Sequence, residues 1–297
     1  MTNRFKHVGV LMGGPSAERD VSLHSGEAVC RGLREAGYSV RSIDPHDGRL
    51  ALPEGIEAVF VALHGTYGED GTVQDGLREA DVPYTGSGPQ SSRCAFDKVA
   101  TKEILVREGI PTPTYEVISS SADRTLSLPV MVKPLRQGSS IGLQRVFAED
   151  AWDAAFAEAA AFEGTVLVEE FIEGREITVG IVCDEVLPAL EIRAPDGYYD
   201  YDAKYTKGRS EYLVPAPIPG NQAEACRRIA LEVYRALGCG GLARVDFRIR
   251  DDGEPFVLEL NTIPGFTETS LLPKAAAAVG VEFPELCHRI MESASVK

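Results

Sequence analysis

The chain carries no excess of basic residues: 30 Lys and Arg stand against 45 Asp and Glu, a net charge of −15. A general nucleic-acid binder usually shows a basic face, so that class is set aside. A phosphate ligand is not excluded, because a local lysine pocket can sit in an acidic surface. None of the six cysteines forms a CxxC pair. A chain of 297 residues needs no covalent staples, so the thiols are expected to be buried and reduced. Long apolar runs are missing too. The stretch from Val8 to Met12 is too short for a signal peptide or a span, and there is no low-complexity tract or repeat. The expectation is a cytoplasmic protein with no membrane and no nucleic-acid partner. The P-loop pattern G-x-x-x-x-G-K-[ST] is also absent, which removes the commonest phosphate cradle.

What is present reads as a mixed α/β chain. HVGVLM (7–12), YSVRSID (38–44) and EAVFVALHG (57–65) are expected strands, with a helix over about 21–35 between the first two. Strand, helix and strand in this order predict a parallel sheet that binds ligands at the carboxyl ends of its strands, where Gly13-Gly14 and His64-Gly65 fall. A helix from Asp97 to about Glu108 opens a second unit. LPVMVKP is its strand, LRQGSSIGL a Gly/Ser loop, AEDAWDAAFAEAA a helix and TVLVEEFI another strand. The third unit holds an amphipathic helix over 221–238 and a long Tyr/Asp/Lys-rich segment over 194–215, expected to be a lid. The domains are accordingly placed at 1–96, 97–180 and 181–297.

RVDFRIRDDGEPFVLELN (244–261) reads as an antiparallel hairpin turning at DDGE. The register that buries Val245, Phe247 and Ile249 together with Leu260, Leu258 and Phe256 pairs Ile249 with Phe256 and Phe247 with Leu258. It also sets Asp246 opposite Glu259 and Arg244 opposite Asn261. Two carboxylates directly opposed across strands repel, so a positive partner is required. Two readings stay open: a hard divalent ion on Asp246, Glu259 and Asn261, or a solvated face paired with Arg248 and Arg250. Lys133, followed by Gly138-Ser139-Ser140, offers a cation and approachable backbone donors for phosphate. Lys98 by itself reads as a surface charge, and Glu169, Glu170 and Glu176 as an acidic edge or as an adenine and ribose site.

GGPSAERDVSLHSG (13–26), HGTYGEDGTVQ (64–74), VKPLRQGSSIG (132–142), VEEFIEGRE (168–176), YYDYDAKY (198–205) and RVDF…LELNTIPGFTETSLLP (244–273) occur in that order. Together they closely resemble the bacterial D-alanine–D-alanine ligase family of the ATP-grasp superfamily, from about residue 7 to 292. The resemblance implies a three-domain ATP-grasp fold with an N-terminal Rossmann-like parallel sheet. It implies ligation of two D-alanines with ATP and two Mg²⁺ (or Mn²⁺) ions for peptidoglycan synthesis, in a protein that is typically a homodimer. Motif by motif, Lys98, Lys133, Ser140 and the lid's Lys204 would meet the nucleotide phosphates. Glu169, Glu170, Phe171 and Ile172 would hold the adenine, and Glu176 the ribose. Asp246, Glu259 and Asn261 would bind the metals. Glu18, Ser139 and Tyr205 would form a hydrogen-bonded network at the first D-alanine, near His64. Arg244 and the Gly265 N–H would stabilise the oxyanion, and Ser270 with the Leu271 N–H would take the second carboxylate. Without the family, Glu18 reads as a helix-dipole acid, His64 as structural and Ser270 as an N-cap. Leu135, Gln137 and Ala243 depart from residues frequent in relatives, and none of them is a ligand. A ligase taking D-lactate as acceptor, another ATP-grasp carboxylate–amine ligase and a non-catalytic nucleotide-binding regulator are the alternatives. Lys204-Tyr205 argues against the D-lactate form, and the intact metal set with Arg244 argues against the regulator.

Overall fold

The computed structural model describes residues 3–194 and 209–297. The first sheet is parallel in the order β2-β1-β3, from β1 (His7–Leu11), β2 (Ser39–Ile43) and β3 (Ala58–Val61). Helix α1 (Arg19–Glu35) crosses between β1 and β2. It buries Ser22, Ser25, Val29 and Leu33, a spacing of three and four that lays one stripe on the sheet. Beyond β3 come α2 (Thr72–Glu79), α3 (Pro89–Phe96) and α4 (Lys98–Arg107). Asp97 caps α4 by accepting from the Val99 and Ala100 N–H groups.

The second sheet is antiparallel in the order β4-β7-β5-β6, from β4 (Tyr115–Ile118), β5 (Val130–Pro134), β6 (Gln144–Val146) and β7 (Val166–Glu170). Helix α5 (Trp152–Glu163) covers it, with Trp152, Ala155 and Ala159 packed on Val130, Val132 and Val166. The third sheet has six strands. Its path is β11-β10-β8-β12-β13, from β8 (Arg175–Val182), β10 (Leu190–Arg193), β11 (Glu211–Leu213), β12 (Leu242–Ile249) and β13 (Pro255–Asn261). The short β9 (Glu185–Val186) pairs with β8. Strand β8 straddles the expected domain boundary at 180 and lies whole in this third sheet.

Helix α6 (Gly220–Ala236) packs Cys226, Ile229, Ala230 and Val233 on the third sheet, and Gly238 follows it in the left-handed region. Leu105 of α4 and Ile110 join this same core, so α4 leans on the third sheet. Helices α7 (Leu271–Ala277) and α8 (Phe283–Glu292) return to the first sheet and α1, where Leu286, Ile290 and Met291 pack with Val29 and Leu33. The first and third sheets therefore share packed cores, through the C-terminal helices and α4.

The β12–β13 hairpin departs from the expected register. Arg244 faces Asn261, Val245 faces Leu260 and Asp246 faces Glu259, as the alternation predicts. Between Asp246 and Phe247 the register shifts, so that Phe247 faces Val257 and Ile249 faces Pro255, not Leu258 and Phe256. Leu258 is the extra residue of a β-bulge. The bulge turns Val257 into the core and leaves Leu258 and Glu259 both half-buried. Strict alternation held only on the Asn261 side because a bulge reverses the facing of everything beyond it.

Candidate functional site

Two cavities meet between the three bodies. The larger, about 750 Å³, is lined by Glu18, His64, Lys98, Ser139, Arg244, Glu259, Asn261, Gly265, Ser270 and Leu271. The smaller, about 90 Å³, is lined by Lys98, Lys133, Ser139, Ser140, Glu169, Glu170, Phe171, Ile172, Glu176, Asp246 and Glu259. Lys98, Ser139, Leu258 and Glu259 line both. Every expected site residue within the described part of the chain thus falls on one connected space. Lys204 and Tyr205 lie outside the described residues, as does most of the expected lid.

The small cavity is a slot between the second and third sheets. Glu169, 1% exposed, sits at its base with Lys133 Nζ 2.6 Å from Oε2 and Lys102 Nζ 3.0 Å from Oε1. Burial works against this charge, but the two ammonium groups outweigh it and hold the carboxyl at about 2. Lys102 is pushed down to about 8 by burial, which the Glu169 charge opposes. Sequence reasoning missed Lys102. It lies four residues after Lys98 on the same helical face, and two lysines at that spacing repel unless carboxylates answer them. Lys98 donates to the Gln137 carbonyl at 2.7 Å, and its pKa is lowered by burial against the attraction of Glu259. At the outer edge Arg248 pairs with Glu176 at 3.0 Å and Arg250 with Glu170 at 2.9 Å. Arg250 also lies over the Phe256 ring, 4.5 Å from its centroid.

Those two pairs bear on the hairpin. The cation beside Asp246 is Arg244, which holds both carboxylate oxygens at 2.8 Å, while Thr178 donates to Oδ1 at 2.6 Å. Among the described residues the Glu259 side chain makes no hydrogen bond or ion pair. Asn261 Oδ1 accepts from the Ile263 N–H at 2.9 Å, which fixes the amide at the strand end. No three His, Cys, Asp or Glu side chains gather as a metal cluster among the described residues. The donor set is two opposed carboxylates and an amide, all oxygen, beside a lysine-lined slot. That chemistry fits a hard divalent cation that also takes phosphate oxygens.

In the large cavity Glu18, at the start of α1, accepts a hydrogen bond from the Ser139 hydroxyl, tying α1 to the Gly/Ser loop. A Cβ on Gly138 would come within 2.6 Å of Glu18 Oε2, and one on Gly65 within 2.7 Å, so both glycines make room for this carboxylate. Ser139 and Ser140 both lie at positive φ, 51° and 60°, a strained turn that the loop holds at the junction of the two cavities. His64 is buried, with Nε2 2.9 Å from Ser25 Oγ and Nδ1 3.6 Å from Glu69. Burial lowers the His64 pKa, and the Glu18 charge opposes this. Glu69, a second residue that the sequence did not single out, is raised to about 8 by burial and then by the charge of Glu259. Its Gly-Glu-Asp context reads as an ordinary turn.

Ser270 stands at the N-cap position of α7, but its hydroxyl accepts from the Thr267 N–H at 3.0 Å and does not cap the helix. The adjoining Phe266 N–H donates to Ser25 Oγ at 3.2 Å, which fixes the turn holding Gly265 at the cavity wall. The arrangement joins a cationic slot, a pair of opposed carboxylates and a chamber with Arg244 and Glu18 at its walls. It suits transfer of a phosphoryl group to a small molecule carrying both a carboxylate and an ammonium.

Comparison with known proteins agrees with this geometry. Residues 99–292 match the family described as D-ala D-ala ligase C-terminus, and residues 45–87 match the D-ala D-ala ligase N-terminus. The D-alanine--D-alanine ligase of Syntrophotalea carbinolica is 48% identical, over 98% of this chain and 97% of its own. That of Desulforudis audaxviator is 47% identical, over 97% and 98%. The crystal structure of the Bacillus anthracis enzyme complexed with ATP superposes with a TM-score of 0.81 at 32% identity, covering 97% of both chains.

Proposed function

The chain belongs to the D-alanine–D-alanine ligase family, and from that premise we propose how its double cavity joins two D-alanine molecules with ATP. The product, D-alanyl-D-alanine, serves peptidoglycan synthesis. A free carboxylate is a poor electrophile, so the first D-alanine is activated by transfer of the γ-phosphoryl group to its carboxylate. The amine of the second D-alanine attacks the acyl phosphate, a tetrahedral oxyanion forms, and inorganic phosphate leaves.

The slot would take the nucleotide. Glu169, Glu170, Phe171 and Ile172, which line the slot, would hold the adenine, and Glu176 the ribose. Lys98, Lys133 and Ser140, which line the same slot, would meet the phosphates, and by the motif match Lys204 would join them. Asp246, Glu259 and Asn261 would hold two Mg²⁺ (or Mn²⁺) ions. Bound there, a divalent cation would supply charge neutralisation of the phosphate oxygens. Glu18 would bind the first ammonium within a network with Ser139 and Tyr205. Asp246 fixes the Arg244 guanidinium through two hydrogen bonds. Arg244 and the Gly265 N–H then stabilise the oxyanion by a charge aligned in advance. Ser270 and the Leu271 N–H would receive the second carboxylate, and His64 stands at the first-substrate side.

The observation that carries this reading is the meeting of the two cavities at Lys98, Ser139 and Glu259. No helix of the described residues is long and apolar enough to cross a membrane. We place the enzyme in the cytoplasm, as a homodimer. The test is phosphate release with ATP and Mg²⁺. It is expected to depend on D-alanine and not on L-alanine, and an absence of stimulation by D-alanine would overturn the reading. A faster reaction with D-lactate as acceptor would reassign the enzyme to the depsipeptide-forming variant.

A further inference from the structure

Lys102 is among the largest fully buried side chains, 1% exposed, and lies behind both cavity walls. A helix lysine normally carries its charge out to water. Here Nζ reaches three separate segments: Glu169 Oε1 of β7 at 3.0 Å, Thr112 Oγ1 at 2.5 Å and the Val257 carbonyl of β13 at 3.4 Å. Thr112 donates onward to the same Val257 carbonyl at 2.8 Å, and the Val257 N–H donates to the Pro111 carbonyl at 2.8 Å. Val257 is the residue directly before the bulge that delivers Leu258 and Glu259 to the cavities. Lys133 holds the other Glu169 oxygen at 2.6 Å. Lys102 and Lys133 thus hold Glu169 by both oxygens, and the Lys102 ammonium also reaches the carbonyl of the residue next to the bulge.

We propose that Lys102 is a positioning residue for the nucleotide: it acts through Glu169, holding that carboxylate and Lys133 in the slot's geometry while locking the bulge beside it. This rests on the reading of the slot as the ATP site. Lys102 itself touches no substrate. The reason for burying it is mechanical, because one cation joins the second sheet to the third across the seam where the nucleotide would lie. A helix side chain of similar length without charge would fill the space but leave Glu169 free to follow Lys133 alone.

The test compares Lys102→Met, Lys102→Arg, Glu169→Gln and the Lys102→Met/Glu169→Gln double variant in the full chain. KM for ATP, KM for D-alanine and kcat are measured, together with direct calorimetric binding of a non-hydrolysable ATP analogue. Lys102→Met is expected to weaken nucleotide binding at least about tenfold, the effect typical of losing a group that orients a ligand-holding side chain. KM for D-alanine should stay within about twofold on the same argument, and Lys102→Arg should recover most of the loss. On the Glu169→Gln background the Met substitution should add less than about twofold, because its route of action is already gone. Should Lys102→Met fail to fold, the double variant decides, since it removes both members of the buried pair. Nucleotide affinity equal to that of Glu169→Gln supports the proposal, and a further tenfold loss overturns it. Unchanged analogue binding in Lys102→Met also overturns it, as does a parallel fall of all three kinetic parameters with no recovery by Arg. A wild type that binds the analogue without ligating D-alanine would count against the reaction assigned above and leave this binding test intact. A wild type that does not bind it defeats both.

Discussion

Glu169 and Glu259 are carboxylates on neighbouring walls of one site, and the fold treats them in opposite ways. Glu169 is sealed under two lysines, its charge answered on both oxygens by the chain itself. Glu259 faces Asp246 across the hairpin, and Arg244 is already engaged with Asp246. One carboxylate is part of a finished, rigid floor. The other lines both cavities, and the cation that feels its charge, Lys98, makes no ion pair with it. A protein that spends two buried lysines on one acid while leaving the next half-exposed has divided the site into a scaffold and a receptor.

That contrast predicts opposite profiles on neutralisation. On the metal assignment proposed above, Glu259→Gln should lower turnover by at least roughly a thousandfold, because a ligand for the phosphate-neutralising cation would be lost. Its thermal midpoint should hold or rise, since the substitution relieves repulsion with Asp246. Near-wild-type turnover would break the contrast. Glu169→Gln should do the reverse in stability, costing about 3 kcal/mol or more in denaturant unfolding because two buried ammonium groups lose their partner. An unfolding curve that does not shift would show that the lysines are answered elsewhere.

A third acid sharpens the comparison by pH. Glu69 is folded with a pKa of about 8 against an ordinary 4.5, so it takes up a proton on folding. Its contribution to stability is complete below pH 4.5 and is lost as pH rises toward 8. Glu169 runs the other way: held at about 2, it contributes above pH 4.5 and is lost as pH falls toward 2. In metal-free protein with chelator, Glu69→Gln should flatten the stability profile between pH 4.5 and 8. A profile that keeps its slope would place the titration elsewhere. The smallest effect is expected at the bulge. Leu258→Ala trims apolar surface at the junction of the cavities and should raise KM for ATP about two- to fivefold. No change in KM would mean that Leu258 serves packing alone.

Much of this site was legible in the chain because its residues sit on elements with strong patterning. The opposition of Asp246 and Glu259 followed from alternation, and it holds because the bulge lies just beyond them. The other half of the hairpin was not legible. Phe256 and Leu258 alternate as convincingly as Pro255 and Val257, and only packing against Phe247 and the cap of Pro111 and Thr112 selects between them. Lys102 was hidden for a similar reason. A lysine in a helix reads as surface, and the carboxylate that draws it inward lies 67 residues away on another sheet. Glu69 sits in a polar turn beside His64, and the second cause of its raised pKa, the charge of Glu259, comes from a strand 190 residues away. Pairings within one hairpin can be read in sequence, whereas pairings between bodies require the fold.

The most direct test of the scaffold-and-receptor division is a Mn²⁺ titration followed by electron paramagnetic resonance, with a non-hydrolysable ATP analogue bound to wild type and to Glu259→Gln. Two tightly held ions in wild type, with at least one lost in the variant while its melting temperature is unchanged, is the predicted result. Equal Mn²⁺ binding by the two proteins would contradict it.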